Sequence, residues 1–75
     1  MKRKISEIAR EISANWEKPY FGAVPYLQAM MTLGDISENY GQDSGESIVL
    51  YFLSNAKTWR GETAKRIKSE LKGML

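Results

Sequence analysis

The stretch Ser44-Gly45-Glu46-Ser47-Ile48-Val49-Leu50-Tyr51-Phe52-Leu53 decides the fold predicted for this chain. Its part from 47 to 53 is the most apolar run of the sequence. Two helix-start signals overlap immediately before that run, because Asp43 precedes Glu46 by three residues and Ser44 precedes Ser47 by three. The pattern predicts a central helix over residues 44–56, which other helices must cover on several sides.

A strand over residues 47–53 is the alternative, because Ile, Val, Tyr and Phe favour strands and a short apolar run cannot be assigned by periodicity alone. The helix is favoured, since the capping signals precede the run and no second strand is available to pair with it. The residues predicted to form its apolar face are Ile48, Val49, Phe52, Leu53 and Ala56. Leu50 and Tyr51 widen that face beyond half of the helix surface.

Three further helices are predicted on either side of the central one. Residues 3–17 carry apolar side chains at helical spacing, and Pro19 ends that helix. Residues 24–34 begin with Pro25 in the first turn and end at Gly34, a C-terminal cap. A last helix, over 59–73, begins at a Thr58 cap. The apolar positions of the first and last helices are Ile5, Ile8, Ala9, Ile12, Trp16, and Trp59, Thr63, Ile67, Leu71, Met74.

A capped loop is predicted at residues 35–43, between the second helix and the central one. Asp35 and Glu38 have the spacing of a capping box, which suggests a short helical turn ending near Gly41. The fold class that follows is all-α, a compact single domain of about four helices spanning residues 1–75. A chain of this length buries only about 60% of the surface exposed by its unfolded form.

Composition excludes several classes of function. The chain is 43% hydrophobic and 27% charged, as expected for a globular protein rather than a disordered one. It has no cysteine and no histidine, so disulfides, thiolate chemistry and the usual neutral-pH base are absent. The basic start, residues 1–4, leads into an amphipathic segment rather than the apolar run of a signal peptide. We therefore expect a cytoplasmic protein without a membrane span, a cofactor or an enzymatic activity.

Residues 35–46 place oxygen-bearing side chains at several ligand positions of a calcium-binding loop. The sixth position, which requires glycine for a sharp turn, is Tyr40, and the eighth, usually apolar, is Gln42. A capped connection between helices is therefore favoured over a calcium site.

Five cationic residues suggest an anion-binding or nucleic-acid-binding surface: Lys57, Arg60, Lys65, Lys68 and Lys72. The three lysines of the last helix recur three and four residues apart, so they form a stripe that could follow a phosphate backbone. The alternative is a solvated helix face whose cations complement the macrodipole. The net charge of +2 does not require an anionic partner, and the solvated face is favoured.

The last two predicted helices and their connection loosely resemble a helix-turn-helix. A recognition helix presents polar residues of its first turns to base edges, whereas Trp59 and Gly61 occupy part of that region. Reading of specific DNA sequences is therefore not favoured.

Aromatic residues cluster at the predicted chain bends and are either core residues or a partner surface. A small domain needs large side chains to bury enough area, which favours the core. Any of them that are exposed are the best candidates to contact a partner, because aromatic residues dominate binding hot spots. The candidates for such a surface are Trp16, Tyr20, Phe21 and Trp59.

Three segments carry a resemblance to a group of known proteins: residues 20–27, residues 44–56 and residues 58–64. In these segments the chain resembles small uncharacterised proteins of bacterial phages and integrated mobile elements. The resemblance implies a bacterial accessory protein and brings no activity, ligand or functional residue with it. The function predicted is a non-enzymatic interaction or accessory module whose partner is an unidentified protein or a second copy of the chain. The alternative is a DNA-associated accessory protein that uses the basic last helix.

Overall fold

The hydrophobic core of the computed structural model, which describes residues 3–75, is built by four helices and bordered by one small hairpin. In chain order the elements are α1 (Ile5–Asn15), α2 (Val24–Met30), β1 (Asn39–Tyr40), β2 (Asp43–Ser44), α3 (Gly45–Ser54) and α4 (Glu62–Met74). All four predicted helices are confirmed, and the alternative of a strand over 47–53 is wrong. Met1 and Lys2, which open the basic start, lie outside the described residues.

The prediction of an all-α fold is wrong at residues 35–43, because the hairpin lies there in place of a helical turn. β1 and β2 pair antiparallel, with Asn39 opposite Ser44 and Tyr40 opposite Asp43. Gly41 is the first of the two loop residues and has a φ of 62°, the conformation that a two-residue type II′ hairpin loop requires there. Two residue pairs are too few for a sheet that is stable by itself, so its packing against α3 sustains it.

The start of α3 follows one of the two predicted signals. Ser44 is the N-cap and its Oγ accepts a hydrogen bond from the Ser47 backbone N–H at 3.1 Å. Asp43 is not the capping residue, because the N-cap is one position later, at Ser44. Gly45 follows the cap where the chain passes very close to itself: a Cβ there would lie 2.6 Å from the backbone oxygen of Ile36. The Gly45 N–H donates to the Glu38 carbonyl at 2.7 Å, which joins the hairpin to the helix.

Gly34 has a different role from the predicted helix cap, because α2 ends four residues earlier, at Met30. The Gly34 carbonyl accepts from the Ile5 N–H at 2.9 Å, and the Leu33 carbonyl accepts from Ser6 N–H at 2.8 Å. These bonds satisfy donors of the first turn of α1, which have no partners within their own helix. The chain after α2 therefore caps the beginning of α1.

The Asp35 and Glu38 pair closes a turn instead of starting a helix. The Glu38 carboxylate accepts hydrogen bonds from the backbone N–H groups of Gly34 and Asp35, at 3.1 and 3.2 Å. The Asp35 carboxylate accepts from the Ser37 N–H at 3.0 Å. Asp35 and Glu38, whose spacing fits a capping box, therefore stabilise the turn between α2 and β1.

The predicted beginning of the last helix is also wrong. α4 starts at Glu62, and its N-cap is Gly61 rather than Thr58. Gly61 has a φ of 112°, a conformation that residues with a Cβ rarely adopt. Trp59 therefore lies in the connection before α4 and not on the helix.

The core is formed by apolar side chains from every helix, and α2 packs against α3 at its centre. The largest side chains that are completely enclosed are Phe52, Ile5, Ile8, Ile12, Met30, Leu33, Ile67, Leu71 and Val49. The expectation that α3 is covered on several sides is wrong at Leu50 and Tyr51, which are 51% and 50% exposed. One face of the most apolar helix therefore meets solvent.

Candidate interaction surfaces

The predicted partner surface divides into two buried and two exposed residues. Trp16 and Trp59 are buried, and their rings stack with centroids 5.6 Å apart and planes 13° from parallel. The Phe52 ring meets both edge-on, at 6.3 and 6.4 Å. The Trp59 Nε1–H donates to Asn15 Oδ1 at 2.8 Å, so burial leaves no indole donor unpaired. Trp16 and Trp59 are therefore core residues, the alternative that the sequence favoured, and neither is exposed for contact with a partner.

Tyr20 and Phe21 are exposed, as the partner-surface prediction requires. They lie in the bend between α1 and α2, with 44% and 79% of their surfaces accessible to solvent. Their ring centroids are 4.8 Å apart. Backbone hydrogen bonds from Ala23 N–H to the Tyr20 carbonyl and from Val24 N–H to the Phe21 carbonyl close the bend. The turn thus holds two aromatic rings on the outside of the molecule.

The C-terminal end of α3 adjoins Tyr20. Tyr20, Ser54, Asn55, Lys57 and Thr58 line one surface groove, so the bend lies against the C-terminal end of α3. Along the helix, the Ser54 hydroxyl donates to the Leu50 carbonyl, and the Asn55 side-chain amide donates to the Tyr51 carbonyl. We call the exposed residues Tyr20, Phe21, Leu50 and Tyr51 the aromatic surface.

The exposure of Leu50 could have been predicted from the polar residues at helical spacing around it, although it lies within an apolar run. Glu46 and Ser54 stand four residues before and four residues after Leu50, so the three share one side of α3. A charged and a hydroxyl side chain on that side indicate solvent. The Tyr51 ring lies on the adjoining side and contacts the Tyr26 ring, with centroids 5.4 Å apart.

The structure divides the five predicted cationic residues between two places. Arg60, Lys65 and Lys68 line one open groove at the beginning of α4. Lys72 is near enough to Lys68 to affect its pKa. Lys57 instead borders the groove of the aromatic surface. Lys57 therefore lines a different groove from Arg60, Lys65 and Lys68. We call Arg60, Lys65, Lys68 and Lys72 the basic strip.

Lys68 differs from the other members of the basic strip because it takes part in an internal contact. Its Nζ donates to the Trp59 carbonyl at 2.6 Å and lies 5.9 Å from the centroid of the Trp59 ring. Burial lowers the pKa of Lys68, and the neighbouring cations Lys72 and Arg60 lower it further. Lys68 thus anchors the connection before α4 as well as contributing positive charge.

An ion-pair network joins α1 to α4. Arg3 donates to Glu70 at 2.6 and 2.9 Å and to Glu11 at 2.8 Å, and Arg66 also pairs with Glu11. Hydrogen bonds from Arg66 and then Arg3 lower the pKa of Glu11, and the bond from Arg3 lowers the pKa of Glu70. Within residues 3–75, no salt bridge includes a member of the basic strip.

Two further observations concern metals and membranes. Residues 3–75 contain no group of three or more acidic side chains placed to hold a metal ion. Tyr40, at the glycine position of the calcium-loop alternative, is a strand residue opposite Asp43. None of the helices described between residues 3 and 75 combines the length and apolar character needed to cross a lipid bilayer. Comparisons with protein families, with curated proteins and with solved structures find no match to this chain.

Proposed function

We propose that this chain is a non-enzymatic protein-interaction module that binds its partner through the aromatic surface. The observation that carries the proposal is the 79% exposure of Phe21, whose ring contacts the half-exposed Tyr20 in a bend beside the end of α3, the helix that also exposes Leu50 and Tyr51. Scattered apolar residues on a surface need no explanation, but a group of neighbouring ones rimmed by polar residues is typical of an interaction site.

The free energy available from burying exposed apolar area also supports the aromatic surface as the binding site. Removing apolar area from water contributes about 25 cal/mol per Å², and aromatic anchors supply much of the binding energy of protein interfaces. Phe21 contributes little to the fold while it is exposed, so its apolar area remains available for a partner. The bend between α1 and α2 is closed by backbone hydrogen bonds, which reduces the conformational entropy lost on binding.

Affinity capture with matched variants tests this function. Two variants, Phe21→Ser and Tyr51→Ser, should each lose partners that the wild-type chain retains, and circular dichroism should show the same helix content for each variant as for the wild type. Leu75→Ser is the control, because Leu75 is 47% exposed and lies at the far end of α4. A set of captured proteins that both serine variants at the aromatic surface retain in full would contradict the proposal.

A DNA-associated accessory role is the second candidate, and the basic strip favours it. The acidic residues Glu11 and Glu70 are engaged by Arg3 and Arg66, whereas Arg60 and Lys65 are exposed at the beginning of α4. Each phosphate that such cations neutralise would add salt-dependent affinity. Lys68 is less available, since it is bonded to the Trp59 carbonyl.

An accessory role of either kind agrees with what the resemblance to small proteins of phages and mobile elements implies. That resemblance stays a prediction, as does a bacterial origin. The absence of histidine and cysteine supports a binding role over catalysis, because the serine and threonine hydroxyls have no histidine to activate them.

A further inference from the structure

The exposed face of α3 carries opposite charges at its two ends and apolar side chains between them. Glu46 is exposed in the first turn, and Lys57 is exposed just beyond the last turn. Leu50 and Tyr51 lie between these charges and are half-exposed. The other residues of this face, Ser47 and Ser54, are uncharged, so the two end charges determine its electrostatic pattern.

We propose that this face binds the same face of a second copy of the chain, with the two α3 helices antiparallel about a two-fold axis beside Tyr51. This inference rests on the proposed function, because it names the partner of the aromatic surface. In this arrangement Glu46 of each copy lies opposite Lys57 of the other. Leu50 and Tyr51 of both copies meet at the centre, where they leave water.

The order of the charges is the reason for assigning a second copy. A two-fold interface must be complementary to itself, since the same residues contribute from both sides. Position 51.5 is midway between Glu46 and Lys57, so an axis there brings each acid against a base and places the apolar pair at the middle. A parallel arrangement would instead place Glu46 against Glu46 and Lys57 against Lys57, and both contacts would be repulsive.

The bend that carries Tyr20 and Phe21 enlarges the apolar part of the interface. Tyr20 shares a groove with Ser54 and Lys57 at the C-terminal end of α3, and the Phe21 ring contacts Tyr20. In the antiparallel pair that end faces the beginning of the α3 of the second copy. A few large side chains on each side correspond to the small, weaker class of interfaces, so we expect a dissociation constant in the range of about 1–100 μM.

Sedimentation equilibrium on the full chain tests the proposal by exchanging the charges. Glu46→Lys and Lys57→Glu should each weaken dimerisation about tenfold, because either change places like charges together at both ends of the interface. The double variant Glu46→Lys/Lys57→Glu should recover the wild-type constant to within about threefold. A mixture of the two single variants should also dimerise, because every Lys then faces a Glu.

Leu50→Glu should give monomers, and Lys72→Glu, on α4, should leave the dissociation constant of the dimer unchanged.

Circular dichroism on each variant separates loss of pairing from loss of folding, and Lys57→Glu, outside any helix, serves if Leu50→Glu does not fold. A wild-type chain that is monomeric at about 500 μM would overturn the self-pairing. A double variant as weak as the single ones would also overturn it. Monomeric wild-type chain that captures a different protein through Phe21 and Tyr51 would overturn only the self-pairing and leave the proposed function standing.

Discussion

Trp59 joins two parts of the chain that are 44 positions apart, because its Nε1–H donates to Asn15 Oδ1 at 2.8 Å. Its ring stacks on Trp16, and its carbonyl accepts from Lys68 Nζ. The end of α1, the connection before α4 and the second turn of α4 therefore meet at one indole. This arrangement makes Trp59 a structural residue and leaves the binding role to the exposed aromatic side chains.

Replacing Trp59 with alanine should destabilise the protein by about 3–5 kcal/mol, because it removes a buried ring and leaves a cavity against Trp16. Phe21→Ala should change stability by only about 0.5 kcal/mol, since Phe21 is exposed. Urea denaturation followed by circular dichroism measures both. Equal stability losses in the two variants would contradict the assignment of one ring to the core and the other to the surface.

Gly45→Ala should destabilise the protein by about 1–3 kcal/mol, because the new Cβ would lie 2.6 Å from the Ile36 oxygen and 2.9 Å from the Glu38 oxygen. Both atoms belong to the backbone, which yields less readily than the end of a side chain. Gly73→Ala is the matched control, as a Cβ there meets nothing within 4 Å and α4 gains helix propensity. Thermal denaturation should show a lower melting temperature for Gly45→Ala than for the wild type and a higher one for Gly73→Ala.

The ion-pair network predicts a loss of stability in acid. The pKa values of Glu11 and Glu70 are lower in the folded chain than the ordinary value of 4.5. Their contribution is therefore complete above pH 4.5 and is lost as the pH falls through the lower values of the folded state. Urea unfolding at a series of pH values should show this decline. Arg3→Gln should make it shallower, whereas Arg60→Gln, outside the network, should leave its slope as in the wild type.

The basic strip gives a prediction that separates the two candidate functions. If the basic strip is only a solvent-exposed face of α4, the wild-type chain should show no submicromolar binding to a DNA duplex at about 150 mM salt. The double variant Lys65→Gln/Lys72→Gln is the sharpest comparison, because it retains the contact between Lys68 and Trp59. Gel-shift titrations at several salt concentrations would measure the DNA affinity of both chains. Submicromolar binding that this variant loses, with a shallower salt slope, would favour the DNA-associated role.

Local patterns were sufficient to predict the four helices and much of the core. The spacing of Ile5, Ile8 and Ile12 marks the buried side of α1, and all three are buried. Ser44 before Ser47 correctly marked the start of α3. These features depend on side chains about one helical turn apart, so a short segment of sequence contains all the residues that determine them.

Other features depend on residues that are distant in the sequence, and only the tertiary structure decided them. The hairpin is joined to α3 by the hydrogen bond from the Gly45 N–H to the Glu38 carbonyl, and a Cβ at Gly45 would collide with the Ile36 oxygen; helix periodicity records neither feature. Composition could not distinguish the buried Trp16 and Trp59 from the exposed Tyr20 and Phe21.

The candidate surfaces follow the same division. The sequence by itself determined that Lys65, Lys68 and Lys72 share a side of the last helix, because a helix repeats every 3.6 residues. Only the tertiary structure placed Lys57 on a different groove from Arg60, and only the limited coverage of α3 left Tyr51 in solvent. The physical reason is that helical spacing is set by the local backbone, whereas the burial of a face depends on which other elements reach it.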